Sequence, residues 1–261
     1  MANKFTFNGK SSEDFGIGIS GSGTYNKPRR RVEHYSVPGR NGELSVTDDT
    51  FENVTVYYDC YAYLDFPDKI DALAAWLLSA AGYQRLEDTY HPEVYRMAEF
   101  IGPIDPEPTT LNRSGTFRLE FNCKPEQFFK SGEFFHSFKG KTKIFNPTSF
   151  IAKPLIRLKG ASMTSLTTYG YRNRNKVLSN VDIKGYASSD FIYLDCESWE
   201  AYYYDEQGEK VNANYGVELF QHRYPVLYPG ENSFYWRTDP FDQTSQISDR
   251  DIDIQGRWWT I

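Results

Sequence analysis

The chain has 261 residues, of which 39% are hydrophobic, 25% charged and 17% aromatic, and its formal net charge is −6. That length suits one large all-β domain or two ordinary ones, and a mean hydropathy of −0.62 fits a folded, water-facing chain. A mildly acidic balance excludes the global footprint of a nucleic-acid binder and leaves only local basic patches to consider.

The opening stretch, MANKFTFNGKSSEDF, has no long apolar run, so no secretory leader is expected there. Nor does any segment approach the roughly 18 apolar residues of a membrane-spanning helix, so no membrane insertion is expected. In KFTFNGKSSEDFGIGIS, Phe5 and Phe7 alternate, as do Phe15, Ile17 and Ile19, which predicts half-buried strands around the turn NGK. The basic run KPRRR (Lys27–Arg31) follows, which fits a solvated stretch or a local positive surface facing DNA or an acidic partner subunit. VPGRNGEL (Val37–Leu44) then lies between strand-like flanks. This loop lacks the G-x-x-x-x-G-K-[ST] spacing and the following helix of a phosphate loop. It reads instead as a tight hairpin turn in which Asn41 and Gly42 supply positive φ.

ENVTVYYDCYAYL predicts a strand with Val54, Val56 and Tyr58 on one face. Phe66–Gly82 is the one convincing helix. Pro67 and Asp68 suit its first turn, Gly82 its end, and Ile70, Leu73, Trp76, Leu77 and Ala80 form one apolar stripe that should cover a sheet. Two short strands around TYHPE come next. GTFRLEFNCKPEQFF then predicts a long strand with Phe117, Leu119 and Phe121 inward, stopped at CKPE because proline cannot donate to a ladder.

Character changes between residues 136 and 148, which divides the chain into 1–140 and 141–261. Beyond that point short alternating strands, glycine turns such as DEQGEK and no periodic helix predict a β-sandwich or jelly-roll-like domain.

Chemical signatures are sparse. His34, His91, His136 and His222 show no ligand spacing, so no metal site and no cofactor is expected. There is no nucleophile elbow. Cys60, Cys123 and Cys196 are far apart and odd in number, as expected for reduced core thiols. In YLDCESWEAYYY, Asp195 and Glu197 fall two apart on one strand face, the spacing at which a retaining glycosidase pair would be sought. The same pattern arises on any solvated strand. Trp199 and Tyr203 are candidates for a weak sugar-stacking platform, with Tyr202 and Tyr204 on the opposite face. No catalytic residue is assigned, and the balance favours assembly over turnover; the alternative is a carbohydrate-binding module or glycoside hydrolase on the second domain.

Taken in order, EDFGI (Glu13–Ile17), VPGRNGEL, WLLSAAGYQRLEDTYHPEVYRMA (Trp76–Ala98), GTFRLEFNCKPEQFF (Gly115–Phe129), YPVLYPGEN (Tyr224–Asn232) and RWWTI (Arg257–Ile261) resemble the distal tail protein family of long, non-contractile-tailed bacteriophages of Gram-positive hosts. The resemblance spans essentially the whole chain. It implies a mainly β protein: an N-terminal β-sandwich with one covering α-helix and a protruding hairpin, then a galectin-like β-sandwich. It also implies a homo-hexamer ring at the virion tail tip, made in the bacterial host cytoplasm from a phage or prophage gene. Such a ring joins the tail tube protein to the tail-associated lysin or fibre hub protein and to receptor-binding protein, while DNA only passes through its channel. At 261 residues the chain matches the compact form of the family. By this resemblance Arg40 and Asn41 are interface candidates, and the basic run, with Arg29, Arg30 and Arg31, faces a neighbouring protein. Arg257, Trp258 and Trp259 fall on a terminal strand expected to pack rather than bind.

Overall fold

The computed structural model describes residues 3–21, 25–63, 66–109, 113–159, 164–172, 175–183, 191–219, 223–237 and 251–261. It divides into two compact units, Met1–Gln127 with Ile261, and Phe128–Thr260.

The first unit contains β1 (Phe5–Phe7), β2 (Lys10–Ser11), β3 (Ile17–Ser20), β4 (Arg30–Ser36), β5 (Glu43–Phe51), β6 (Val54–Tyr63), helix α1 (Phe66–Ser79), β7 (Gln84–Asp88), β8 (Val94–Glu99), β9 (Glu107–Pro108) and β10 (Ser114–Phe129). One sheet runs β2-β1-β7-β8-β10-β6-β3. It curls until its ends meet, and the Ile19 amide donates to the Asn3 carbonyl at 2.9 Å. Period-two patterning drives the closure. Phe5, Phe7, Ile19, Val54, Val56, Tyr58, Leu119 and Phe121 all point into one core, each 5% exposed or less. Helix α1 covers that core with Leu73, Trp76 and Leu77 buried and with Ile70 and, just past its end, Ala80 packed at the edge, as the apolar stripe predicts. Trp76 stacks on Phe15 with centroids 4.5 Å apart and on Phe5 at 5.8 Å.

Two local expectations differ from the structure. Phe15 does not continue a strand; it closes the single 3-10 turn Ser12–Phe15, whose start is fixed by reciprocal Ser11 and Asp14 capping bonds. Local side-chain bonds to the backbone outcompete the ladder there. Strand β10 also continues through Pro125. Its register with β6 ends at Cys123 opposite Val54, so this neighbour makes no demand for the N–H that proline lacks. The Pro125 carbonyl instead accepts from Arg96 at 3.4 Å.

The second unit contains β11 (Phe135–Lys139), β12 (Lys141–Asn146), β13 (Leu155–Lys159), β14 (Thr164–Arg172), β15 (Asn175–Ile183), β16 (Phe191–Asp195), β17 (Glu200–Tyr204), β18 (Lys210–Asn212), β19 (Val217–Leu219), β20 (Gly230–Arg237) and β21 (Asp251–Gln255). They form two antiparallel sheets, β11-β21-β13-β16-β17-β18 and β12-β20-β14-β15-β19. Ile156, Leu158, Leu194, Ile252 and Ile254 from the first sheet meet Leu166, Val181, Ile183, Phe234 and Trp236 from the second in one core. This is a β-sandwich. DEQGEK forms its hairpin turn, with the Asp205 amide donating to the Glu209 carbonyl at 3.0 Å and Gly208 at φ 83°.

The RWWTI end packs as expected. Trp258 is buried, and its ring lies so close over Gly256 that a Cβ there would sit 2.1 Å from it. Trp259 stacks on Phe150 at 4.3 Å and donates from its indole N–H to the Ile151 carbonyl at 2.9 Å.

Candidate assembly surface

Strands β4 and β5 pair only with each other, as a two-stranded ribbon separate from the main sheet. Every residue of the ribbon except Val32 and Phe51 is exposed. Register places Tyr35 opposite Leu44 and Glu33 opposite Val46, so Tyr35, Leu44 and Val46 share one face. The other face carries His34 opposite Ser45 and Ser36 opposite Glu43. Glu33 shares this face and accepts from the Tyr35 hydroxyl, and the described residues leave its apolar side chains about half uncovered: Tyr35 is 50% exposed, Leu44 43% and Val46 47%. A lone two-stranded ribbon is at best marginally stable in water, and a row of uncovered apolar side chains along it marks a surface made to be covered.

Its base is braced internally. Arg30 donates to Asp49 at 2.8 Å, and its guanidinium lies 5.0 Å from the centre of the Phe51 ring. Between Arg30–Phe51 and Val32–Thr47 the register slips by a bulge in β5. Asp49 adopts φ 62° there, and Asp48 accepts from the Thr50 amide and hydroxyl at 3.0 and 2.6 Å. A bulge increases the local twist and re-aims the strand beyond it. Those Thr50 hydrogen bonds, assisted by the charge of Arg31, hold the Asp48 carboxyl below its ordinary range.

The tip is a six-residue loop between Ser36 and Glu43, built as two turns rather than a tight Asn-Gly one. The Arg40 amide donates to the Val37 carbonyl at 3.1 Å with Gly39 at φ 80°, and Gly42 makes the second reversal at φ 79°. Pro38 presets the first turn, so Gly39 takes the left-handed position that the sequence assigns to Asn41. Arg40 and Asn41 are both exposed at the tip. Arg29, also exposed, lies just before β4, and Arg31 follows Arg30 within it. Lys27 donates to the Ile261 carbonyl at 2.8 Å. Among the described residues, therefore, the basic run divides. Lys27 and Arg30 are used at home, Arg31 sits in the field of Asp48, and Arg29 is exposed, as is Arg40 at the tip.

The candidates in the second unit are arranged differently from their sequence pattern. Asp195 ends β16, but Glu197 and Trp199 lie in the turn after it, so the two acids do not share a strand face. Asp195 accepts from both terminal nitrogens of Arg257, at 2.8 and 3.1 Å, and from the amides of Glu197 and Ser198 at 3.0 and 3.3 Å. Burial alone would raise its pKa, but the Arg257 bonds and charge and the two amides more than offset it and hold the carboxyl below its ordinary value. Asp195 is thus a turn anchor kept ionised, the opposite of a general acid. Glu197 is exposed and pairs with Lys153 at 3.4 Å. Tyr203 is half-buried against the core, whereas Trp199 is 66% exposed in the turn between β16 and β17. Tyr202 stacks instead on Tyr193, centroids 5.1 Å apart.

His34, His91 and His136 lie on separate elements, and His222 lies outside the described residues. Among the described residues no three His, Cys, Asp or Glu side chains gather as a metal site, and no helix is long and apolar enough to cross a membrane. All three cysteines are buried and unpaired. Burial pushes each thiol up, Cys123 to about 12, which removes the thiolate needed for reactivity.

No family model and no curated protein matches the chain. Solved structures do match it. The Dit protein (gp 19.1) of phage SPP1, described as a paradigm of the hub adsorption apparatus in phages infecting Gram-positive hosts, aligns over 100% of both chains with a TM-score of 0.72 and 11% identity. A chain of the phage P2 baseplate in its activated conformation with Ca aligns over 97% of this chain and 98% of its own, with a TM-score of 0.50 and 8% identity. Its counterpart with Sr aligns over 97% of each chain, with a TM-score of 0.52 and 9% identity. The chain therefore has the fold of phage Dit and baseplate proteins along its whole length.

Proposed function

We propose that this chain is a structural protein of a phage tail tip, a hub whose copies close into a six-membered ring between the tail tube and the host-adhesion device. The observation that carries the reading is the end-to-end match to a hub protein, with both units of the chain included. The ribbon supplies a physical reason for assembly, since its apolar face needs a cover that the described residues of its own chain do not provide. A closed ring uses two different surfaces on each subunit, and a projecting ribbon laid on the next copy satisfies that geometry.

In this account the first unit builds the belt, and Arg29, Arg40 and Asn41 meet acidic groups of the next copy or of the tail tube protein. The second, galectin-like unit is available to the lysin or fibre hub and to receptor-binding protein, and DNA passes through the channel without being gripped. The chain would reside in the virion. No step of this role needs catalysis, and Asp195, bound to Arg257 and held ionised, is unsuited to the proton-donor role that the glycosidase alternative requires of one of its two acids.

Reversing one charge at the tip tests the reading. Arg40→Glu should weaken ring formation or tail attachment while leaving the melting temperature of the monomer unchanged, because exposed ion pairs fix register more than they stabilise a fold. Unchanged particle mass and normal tail morphology in that variant would refute a role for Arg40 in assembly.

A further inference from the structure

The second unit contains a groove of about 290 Å³ that the assembly role does not use. Its volume is near the lower end for small-ligand pockets, which begin at about 300 Å³. Trp199 forms one wall, Tyr224 and Tyr228 form others, and Lys153 and Arg223 supply two positive charges with no carboxylate among the lining side chains. In a chain of net charge −6, that is a local inversion of sign.

Each wall is held from behind. Trp199 sits at φ 60°, a left-handed conformation that is an outlier for a bulky side chain and persists only where the surroundings impose it. Here they do: Asp195, clamped by Arg257, accepts the amides of Glu197 and Ser198 and so fixes the turn that holds the indole out at 66% exposure. Tyr228 is seated against Gly170, where a Cβ would come within 2.3 Å of its ring. Its backbone is pinned by the buried Asn232, which accepts from the Tyr228 amide at 2.9 Å and donates to its carbonyl at 2.7 Å. Tyr224 donates to Asn214 at 3.3 Å, and its phenol is pushed up to about 12 by burial. A preformed groove of this kind spends little free energy on ordering when it binds.

The chemistry of the walls selects the occupant. An exposed, rigid indole beside tyrosines offers a flat apolar plate for the C–H face of a sugar ring. The Arg223 guanidinium has no ion-pair partner among the described residues, and Lys153 has only the exposed Glu197 at 3.4 Å. Both cations are thus available to an anion. A peptide strand fits less well along the β14 part of the lining, where the backbone is paired on both sides, Thr168 with Ser179 of β15 and with Phe234 of β20. The geometry points to a binding site for a phosphate-bearing saccharide, with the sugar on Trp199 and the phosphate between Arg223 and Lys153. The site stands whether or not the chain assembles into a ring.

Isothermal titration of the full chain with α-glucose 1-phosphate, its methyl phosphodiester, glucose and inorganic phosphate tests this. The expected result is binding of a sugar phosphate at least about tenfold tighter than of glucose or phosphate alone. Trp199→Gly, which suits the left-handed turn, and Arg223→Ala should each weaken it by about tenfold or more, with melting temperatures unchanged. Trp199→Phe should restore part of the loss. Binding of the diester as well would assign a polymer, and of the monoester only a free sugar phosphate; either supports the site. No binding of either sugar phosphate, equal affinity for glucose, or affinity unaltered in the two variants would overturn it.

Discussion

Replacing Leu44 and Val46 together by threonine separates assembly from folding. Both residues lie on the partly uncovered face of the β4–β5 ribbon, 43% and 47% exposed, and threonine has the β-branched shape that strands favour. Complete burial of such a side chain contributes about 1.5–3 kcal/mol, and a little under half of that surface is still exposed to water in the single chain. Covering both by a neighbour would therefore contribute about 1.5–3 kcal/mol per interface, about tenfold to more than a hundredfold in its dissociation constant. The folded monomer stands to lose little, because exposed substitutions typically change stability by no more than about 0.5 kcal/mol. Light scattering across a concentration series, with thermal melting of the same samples, reads both effects. The expected outcome is a ring that dissociates at higher concentration than wild type and a melting temperature within about 2–3 °C of it. A variant that assembles as wild type does would remove the ribbon's apolar face from the interface. A large fall in melting temperature would show instead that the face is covered within its own chain.

Two further substitutions test the internal architecture. Trp76→Ala removes an indole stacked on Phe5 and Phe15 under helix α1 and should destabilise the first unit by about 3–5 kcal/mol, read as a fall of about 10–20 °C in its melting transition. A shift of only a degree or two would mean that α1 is not essential to the core. Asp195→Asn should destabilise the second unit by about 1–3 kcal/mol at neutral pH, below the figure for a fully buried pair because the two side chains are 17% and 26% exposed. The folded carboxyl is held below its ordinary value, so its contribution is complete above the unfolded pKa of about 3.9 and is lost as pH falls through the lower folded value. Urea unfolding should therefore show the gap between wild type and variant closing in strong acid; a gap independent of pH would contradict the ion pair.

Strands with one dry face were legible from the sequence, because alternation at Phe5–Phe7, Val54–Tyr58 and Phe117–Phe121 records burial directly. So was α1, whose stripe recurs at three and four. The ribbon's character was not legible. Tyr35, Leu44 and Val46 alternate as residues of any half-buried strand do, and only the folded chain shows that its described residues leave them about half uncovered. Arg30 could not be told from Arg29 and Arg40, because its partner Asp49 is brought close by a bulge that leaves no periodic trace. Likewise the i, i+2 spacing of Asp195 and Glu197 was visible, while the Arg257 that decides the role of Asp195 lies 62 residues away. The groove escaped for the same reason: its walls come from loops and strands between Ile151 and Tyr228 that only the folded sandwich gathers. The six-residue tip shows the finer limit, since Pro38-Gly39 and Asn41-Gly42 each encode a turn and the chain uses glycine at both.

The proposed role requires copies of this chain to close into a ring through surfaces of the folded monomer. Its most direct test is the mass of the purified protein in solution over a wide concentration range, with negative-stain images of the same fractions. A six-membered ring gives a discrete particle six times the 30.3 kDa of one chain, seen end-on as a ring with a central channel. A single species of 30.3 kDa at every concentration, with no ring in the images, would contradict it.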